Sequence, residues 1–290
     1  MKLDKLWNGL TQIANGDYVL EGDLICEENL EIDLYDRLVV KGKIQVKKNI
    51  VASCGIEAGC GIEVGEGIEA GWGIKAGCGI EAGLGIKAGW GIKAGWGIEA
   101  GWGIKAGCGI EAGWGIKAGC GIEAGLGIKA GCGIKAGEGI EAGWGIKAGE
   151  GIEAGCGIKA GCGIKAGCGI EAGCCIEAGW GIKAGWGIKA GCGIEAGWGI
   201  KAGEGIEAGC GIKAGWGIEA KTFIRSEKRI FAGLYLYHDS TNCKKTIKCA
   251  ELRKGEICYG DLIIEEPVVE MTLAEIAEKL GIKNLKIKEG

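Results

Sequence analysis

The chain has 290 residues, of which 63 are glycine and one is proline, a composition that excludes an ordinary mixed globule and points to a repeat protein. Collagen is excluded as well, because its glycines fall at every third residue among abundant prolines, whereas here the glycine spacing alternates between two and four. With 34 basic and 38 acidic side chains the net charge is −4, so no global field selects nucleic acid or an anionic membrane.

The opening, MKLDKLWNGLTQIANGD, carries no uninterrupted apolar stretch and no small-residue cleavage site. Charges also recur through the repeats at least every sixth residue, so neither a secretion signal nor a membrane span is expected, and a cytoplasmic location is. Leu3, Leu6, Trp7, Leu10 and Ile13 recur at helical spacing and stop at Asn15-Gly16. That spacing predicts a short N-terminal capping helix within residues 1–19.

Residues 54–221 are 28 consecutive copies of the hexad x-Gly-Ile-z-Ala-Gly, the last ending in Lys221. A period this short does not fit helical hairpins; it fits a three-sided parallel β-solenoid in which each hexad is a short strand plus a corner and about 18 residues close a coil. Ile and Ala, two apart, share one face of the strand, and z points the other way. Position z is Glu fourteen times and Lys fourteen times, so z is outside and Ile with Ala are inside. The glycines are expected to turn the corners, by positive φ or by close backbone approach. Twenty-eight hexads make about nine coils, a stack about 45 Å tall at ~4.8 Å per coil. Stepping back by six from Ile56 gives Ile50, Ile44, Leu38, Ile32 and Cys26, and stepping forward from Ile218 gives Ile224, Ile230 and Leu236. Degenerate leading coils are therefore expected over 20–53, and degenerate trailing coils with irregular strands over 222–270. Because identical repeats specify register poorly, these ends would set it and cover the open edges. Thr272 with Glu275 forms a capping box for a helix over 273–280, and 285–288 alternates as a last strand, so 271–290 reads as an α+β cap.

Position x is Cys twelve times, Trp ten times, Glu four times and Leu twice. The glutamates at 66, 138, 150 and 204 place x at partly exposed corners, since a buried unpaired carboxylate is costly; the competing arrangement keeps Trp and Cys inside. With 18 residues per coil, x residues stack in three columns. The first holds Trp72, Trp90, Trp144, Trp180, Trp198 and Trp216 beside Lys75, Lys93, Lys129, Lys147, Lys165, Lys183 and Lys201 and sums to +4, against −5 and −3 for the others. Those tryptophans, with Lys75, Lys93, Lys147, Lys183 and Lys201, are the candidate interaction surface. Such a face can meet the acidic face of another copy or hold a single nucleic-acid strand. It can also be a by-product of uneven duplication, because hexads three apart carry opposite z charge in only 13 of 25 cases.

No enzyme, cofactor or metal is expected. Gly71 to Gly77 reads GxGxxxG, opens no helix, and follows from the repeat. Hexapeptide-repeat acyltransferases share the period, yet the lone histidine, His238, lies beyond the regular repeats. Cys156, Cys174, Cys192 and Cys210 stack in the third column at a spacing that suits packed thiols better than an ion. His238, Cys243, Cys249 and Cys258 match no common zinc spacing. Ice binding needs threonine ladders, and no repeat contains Thr.

The leading coils, LVVKGKIQVKKNIVASCGIEAG over 38–59, resemble bactofilins, polymer-forming bacterial proteins with a triangular β-helix. The GIEAG/GIKAG tract, the RIFAGL and ICYGDLI segments (229–234 and 257–263) and the tail EMTLAEIAEKLGIKNLKI are similar to glycine-rich hexapeptide-repeat proteins of clostridial prophages. The prophage proteins imply no function for any residue here; the long regular face, with its many weak equivalent contacts, leads to the expectation of a rigid, non-enzymatic solenoid scaffold that self-associates as a homo-oligomer or filament through a repetitive surface. The alternative is a phage-encoded binder of a host protein or, behind it, of nucleic acid, and no membrane partner is expected.

Overall fold

The computed structural model describes residues 1–4, 9–233 and 246–264. Each hexad supplies a three-residue strand and a bend. Ile128–Ala130, Ile134–Ala136 and Ile140–Ala142 go once around, and Ile146–Ala148 then lies over the first with Ile128 opposite Ile146, Lys129 opposite Lys147 and Ala130 opposite Ala148. In the regular repeats one coil is therefore 18 residues and every strand is parallel to those above and below, and the molecule is a parallel β-solenoid. The alternation dictates what is buried. Repeat isoleucines are at most 2% exposed and repeat alanines at most 6%, so the interior is a continuous column of aliphatic side chains. Removing one such isoleucine from water is worth about 1.5–3 kcal/mol. The corners are bonded too: Gly131 N–H donates to the Ala112 carbonyl at 3.1 Å and Cys132 N–H to the Trp114 carbonyl at 3.0 Å.

The repeat glycines act by closeness and not by handedness. Positive φ occurs at Gly16, Gly22, Gly233, Gly255 and Gly260, none of them in a regular hexad. A β-carbon on the glycine after Ala, as at Gly131, would overlap the carbonyl oxygen of the glycine one coil back. On the glycine after x, as at Gly127, it would lie 3.3 Å from the carbonyl one coil on, which is merely tight.

The expected N-terminal helix is absent, and no helix occurs among the described residues. Lys2–Asp4 is a strand paired in parallel with Leu30–Asp33, and Thr11–Gln12 pairs antiparallel with Tyr18–Leu20. The first coil presents a row of open N–H and C=O groups that a strand saturates and a helix would leave unpaired. Leu3 is fully buried in that strand, and Asn15-Gly16, with Gly16 at φ 95°, is the turn of a hairpin. The leading coil is also longer than six-residue stepping implies. Leu24 faces Ile44 and Leu30 faces Ile50, 20 residues on, because the corner between Ile32 and Leu38 holds two extra residues. Ile32 and Cys26 thus occupy the alanine position, still inside.

At the far end Ile224 and Ile230 stack over Ile206 and Ile212 within one long strand, Phe223–Ala232, which rounds a corner and joins two ladders. The third ladder continues from Ile218 to Ile247, then to Leu262. Leu236 and the cap over 271–290 lie outside the described residues.

Candidate interaction surface

Each column of variable residues stands on a corner, and the bare glycine beside it leaves a groove along the solenoid, walled by x on one side and z on the other. The first groove encloses about 1350 Å³ and runs from Gly55 to Gly217; the second encloses about 1230 Å³. The tryptophans point outward, between 41% and 65% exposed. Placement of x at the corners holds, and burial of Trp beside Ile does not occur. Cys54, wholly buried under the irregular leading coil, is the exception.

The six tryptophans of the first column share one edge but do not form one ladder. Trp72 and Trp90 stack at 5.9 Å with planes 14° apart. Trp180, Trp198 and Trp216 form a triple stack, at 5.4 and 5.1 Å with planes within 6°. Trp144 stands between Leu126 and Cys162, whose side chains are too small to extend a stack. The register puts consecutive x residues one coil apart, so offset stacking follows wherever two tryptophans are neighbours. The same rule stacks Trp96 on Trp114 at the second edge.

The lysines divide into two sets. Lys75 pairs with Glu57 at 2.6 Å, Lys93 and Lys129 with Glu111 at 3.1 Å, and Lys201 with Glu219 at 2.6 Å. Held between two ammonium groups, the Glu111 carboxyl titrates below the ordinary range through hydrogen bonds from Lys129 and Lys93. Lys147, Lys165 and Lys183 lie opposite one another in three successive coils and have no carboxylate partner among the described residues. Lys165, which was not singled out from the sequence, is the centre of that strip. At the second edge Glu63, Glu81 and Glu99 are likewise opposite one another; Glu63 accepts from Gln45, Glu99 pairs with Lys117, and Glu81 has no partner among the described residues. Where stacked z charges are opposite, an ion pair generally forms, as at Lys87–Glu69, Lys105–Glu123 and Lys135–Glu153. These pairs are exposed and each is worth at most about 1 kcal/mol.

Among the described residues no group of three or more His, Cys, Asp or Glu side chains is placed to hold a metal ion. Of the four residues considered for zinc, Cys249 is buried in a strand and Cys258 is exposed, while His238 and Cys243 lie outside the described residues. No helix of the described residues is long and apolar enough to cross a membrane.

Compared with protein-family models, with curated proteins and with solved structures, the chain matches none. The parallel β-solenoid stands on its own register, and no family can be attached to it. The likenesses to prophage hexapeptide proteins and to bactofilins gain no support from these comparisons.

Proposed function

We propose that the chain is a non-enzymatic rigid scaffold of the cytoplasm that acts through its repeating surface and binds further copies of itself side by side. The observation that carries this reading is the unpaired strip Lys147, Lys165 and Lys183 set beside exposed tryptophans. The strip Glu63, Glu81 and Glu99 is its complement in sign and in spacing, because both are rows on the same ladder repeat. Two parallel copies bring these strips together when one is shifted by nearly five coils, about 22 Å at ~4.8 Å per coil. Such a contact joins unlike edges and does not close on itself, so it propagates as a filament. Each charge pair is weak alone, and the repeat multiplies it.

Replacing Trp72, Trp90, Trp144 and Trp180 together by Ser tests the reading by size-exclusion chromatography with light scattering. Assemblies should dissolve while far-UV circular dichroism, apart from the exciton band of the indole stacks removed, is unchanged; assembly that survives contradicts the role given to the tryptophans. The Trp- and Lys-walled first groove also favours a second reading, a binder of single-stranded nucleic acid. That reading predicts a gel shift whose affinity falls steeply with salt.

A further inference from the structure

The glycine after the variable residue is kept in every hexad but one, where Cys175 replaces it. The exception falls in the third column, in the one run of four successive coils that all carry cysteine. Backbone bonds hold that run in register: Cys174 N–H to the Cys156 carbonyl at 2.9 Å, Cys192 to Cys174 at 2.9 Å and Cys210 to Cys192 at 2.8 Å.

Side chains in register on parallel strands point the same way, so the β-carbons of ladder neighbours sit about one coil spacing apart, ~4.8 Å. A disulfide needs them about 3.8 Å apart, and the ladder thiols do not bridge without backbone movement. Cys175 differs in direction. At the equivalent positions one coil either side, Gly157 and Gly193, a β-carbon would point along the solenoid axis, 3.4 and 3.5 Å from the carbonyl of the next coil. The Cys175 side chain accordingly leaves the row and is directed at the coil above, where Cys192 immediately precedes Gly193, the residue opposite Cys175 in the ladder. Both cysteines are partly buried. Burial, together with the neighbouring thiols, raises the pKa of Cys192. Among the described residues no group of three or more donors closes round the pair, which does not offer the four ligands of a structural zinc site.

We propose that Cys175 and Cys192 form a dithiol modification site that reacts with low-molecular-weight disulfides and closes into a covalent clip between adjacent coils. The Cys175 thiolate attacks one sulfur of the small disulfide, breaking its S–S bond and expelling one thiolate. Cys192 acts second. Its sulfur attacks the Cys175 sulfur of the mixed disulfide, releases its proton and expels the second small thiolate, and both expelled thiolates take up protons. Two protein thiols and one small disulfide become one protein disulfide and two small thiols.

The test treats the reduced full-length protein with glutathione disulfide, alkylates the remaining thiols and maps tryptic peptides. The fragment 166–183 should appear joined to 190–201 in the wild type and in Cys174→Ser, and the link should vanish in Cys175→Gly and Cys192→Ser. Cys175→Gly restores the residue that every other hexad carries, so a lost link there does not reflect misfolding. The proposal is overturned if the link persists in Cys175→Gly, if only mixed disulfides with glutathione form, or if the two fragments are joined between chains, as a dimer on a non-reducing gel would reveal.

Discussion

Gly131→Ala places a methyl group where the coil below leaves no room. The added β-carbon would fall more than an ångström inside the closest approach that β-carbons show to the Gly113 carbonyl oxygen. Neither atom belongs to a flexible side chain, so the corner must lift. Lifting it by that amount breaks the 3.1 Å bond from Gly131 N–H to Ala112 and the 3.0 Å bond from Cys132 N–H to Trp114. A buried backbone group left unpaired costs about 1–3 kcal/mol, and the second bond lies at a corner where water replaces part of it. The expected loss is about 2–4 kcal/mol. Gly127→Ala, four residues earlier at the preceding corner, meets the Gly145 carbonyl at 3.3 Å, which needs a shift of a few tenths of an ångström. Its backbone φ is not positive, so a more restricted unfolded chain returns about 0.4–1 kcal/mol. Guanidinium unfolding followed by circular dichroism should therefore show a large fall in midpoint for Gly131→Ala and a change within about 1 kcal/mol for Gly127→Ala. Equal midpoints for the two would refute the argument from close approach.

Two further outcomes are expected. Asp17 is nearly buried and accepts a 2.7 Å bond from Arg37, which also pairs with Glu57; that bond from Arg37 holds the Asp17 carboxyl below its ordinary pKa. A lowered folded pKa stabilises above the unfolded value, near about 3.9, and the gain is lost as pH falls through the folded one. Asp17→Asn should thus melt below wild type at neutral pH, and the gap should close under acid below about pH 4; a gap independent of pH counts against the pair. Trp198→Ser removes the middle of the triple stack, so the exciton signal of coupled indoles in circular dichroism should fall by more than the share of one tryptophan in eleven, whereas Trp144→Ser should remove almost none.

Much of the fold was legible because two periods agree. Ile and Ala two apart give the inside of a strand, and charge fixed at z gives the outside, so the hexad declares its own orientation. The coil length followed from three sides, and the columns it generates are the ladders observed. The leading end was misread for two reasons. Leu3, Leu6, Trp7, Leu10 and Ile13 satisfy helical spacing, and the open edge of the first coil, a tertiary feature, decides for strands; Asn15-Gly16 was the available hairpin signal. The 20-residue coil escaped notice because a shift of two residues keeps side chains on the same face, so Ile32 and Cys26 stay buried in either register. The role of the glycines was open at the sequence level between handedness and proximity, and only the distance to the neighbouring coil separates them. At the candidate surface the column assignment was readable, but the division of its lysines was not stated in advance. That division depends on which neighbours one coil away are glutamates, as for Lys75 and Lys201, and which are further lysines, as for Lys165.

The central claim, that the lysine strip of one copy meets the glutamate strip of another, is tested most directly by mixing two charge-reversed proteins. Lys147→Glu with Lys165→Glu and Lys183→Glu makes both strips acidic; Glu63→Lys with Glu81→Lys and Glu99→Lys makes both basic. Light scattering should find each variant unassembled alone and the equimolar mixture assembled, with assembly lost as salt rises. Variants that assemble alone as the wild type does, or a mixture that stays monomeric under conditions where the wild type associates, would contradict the account.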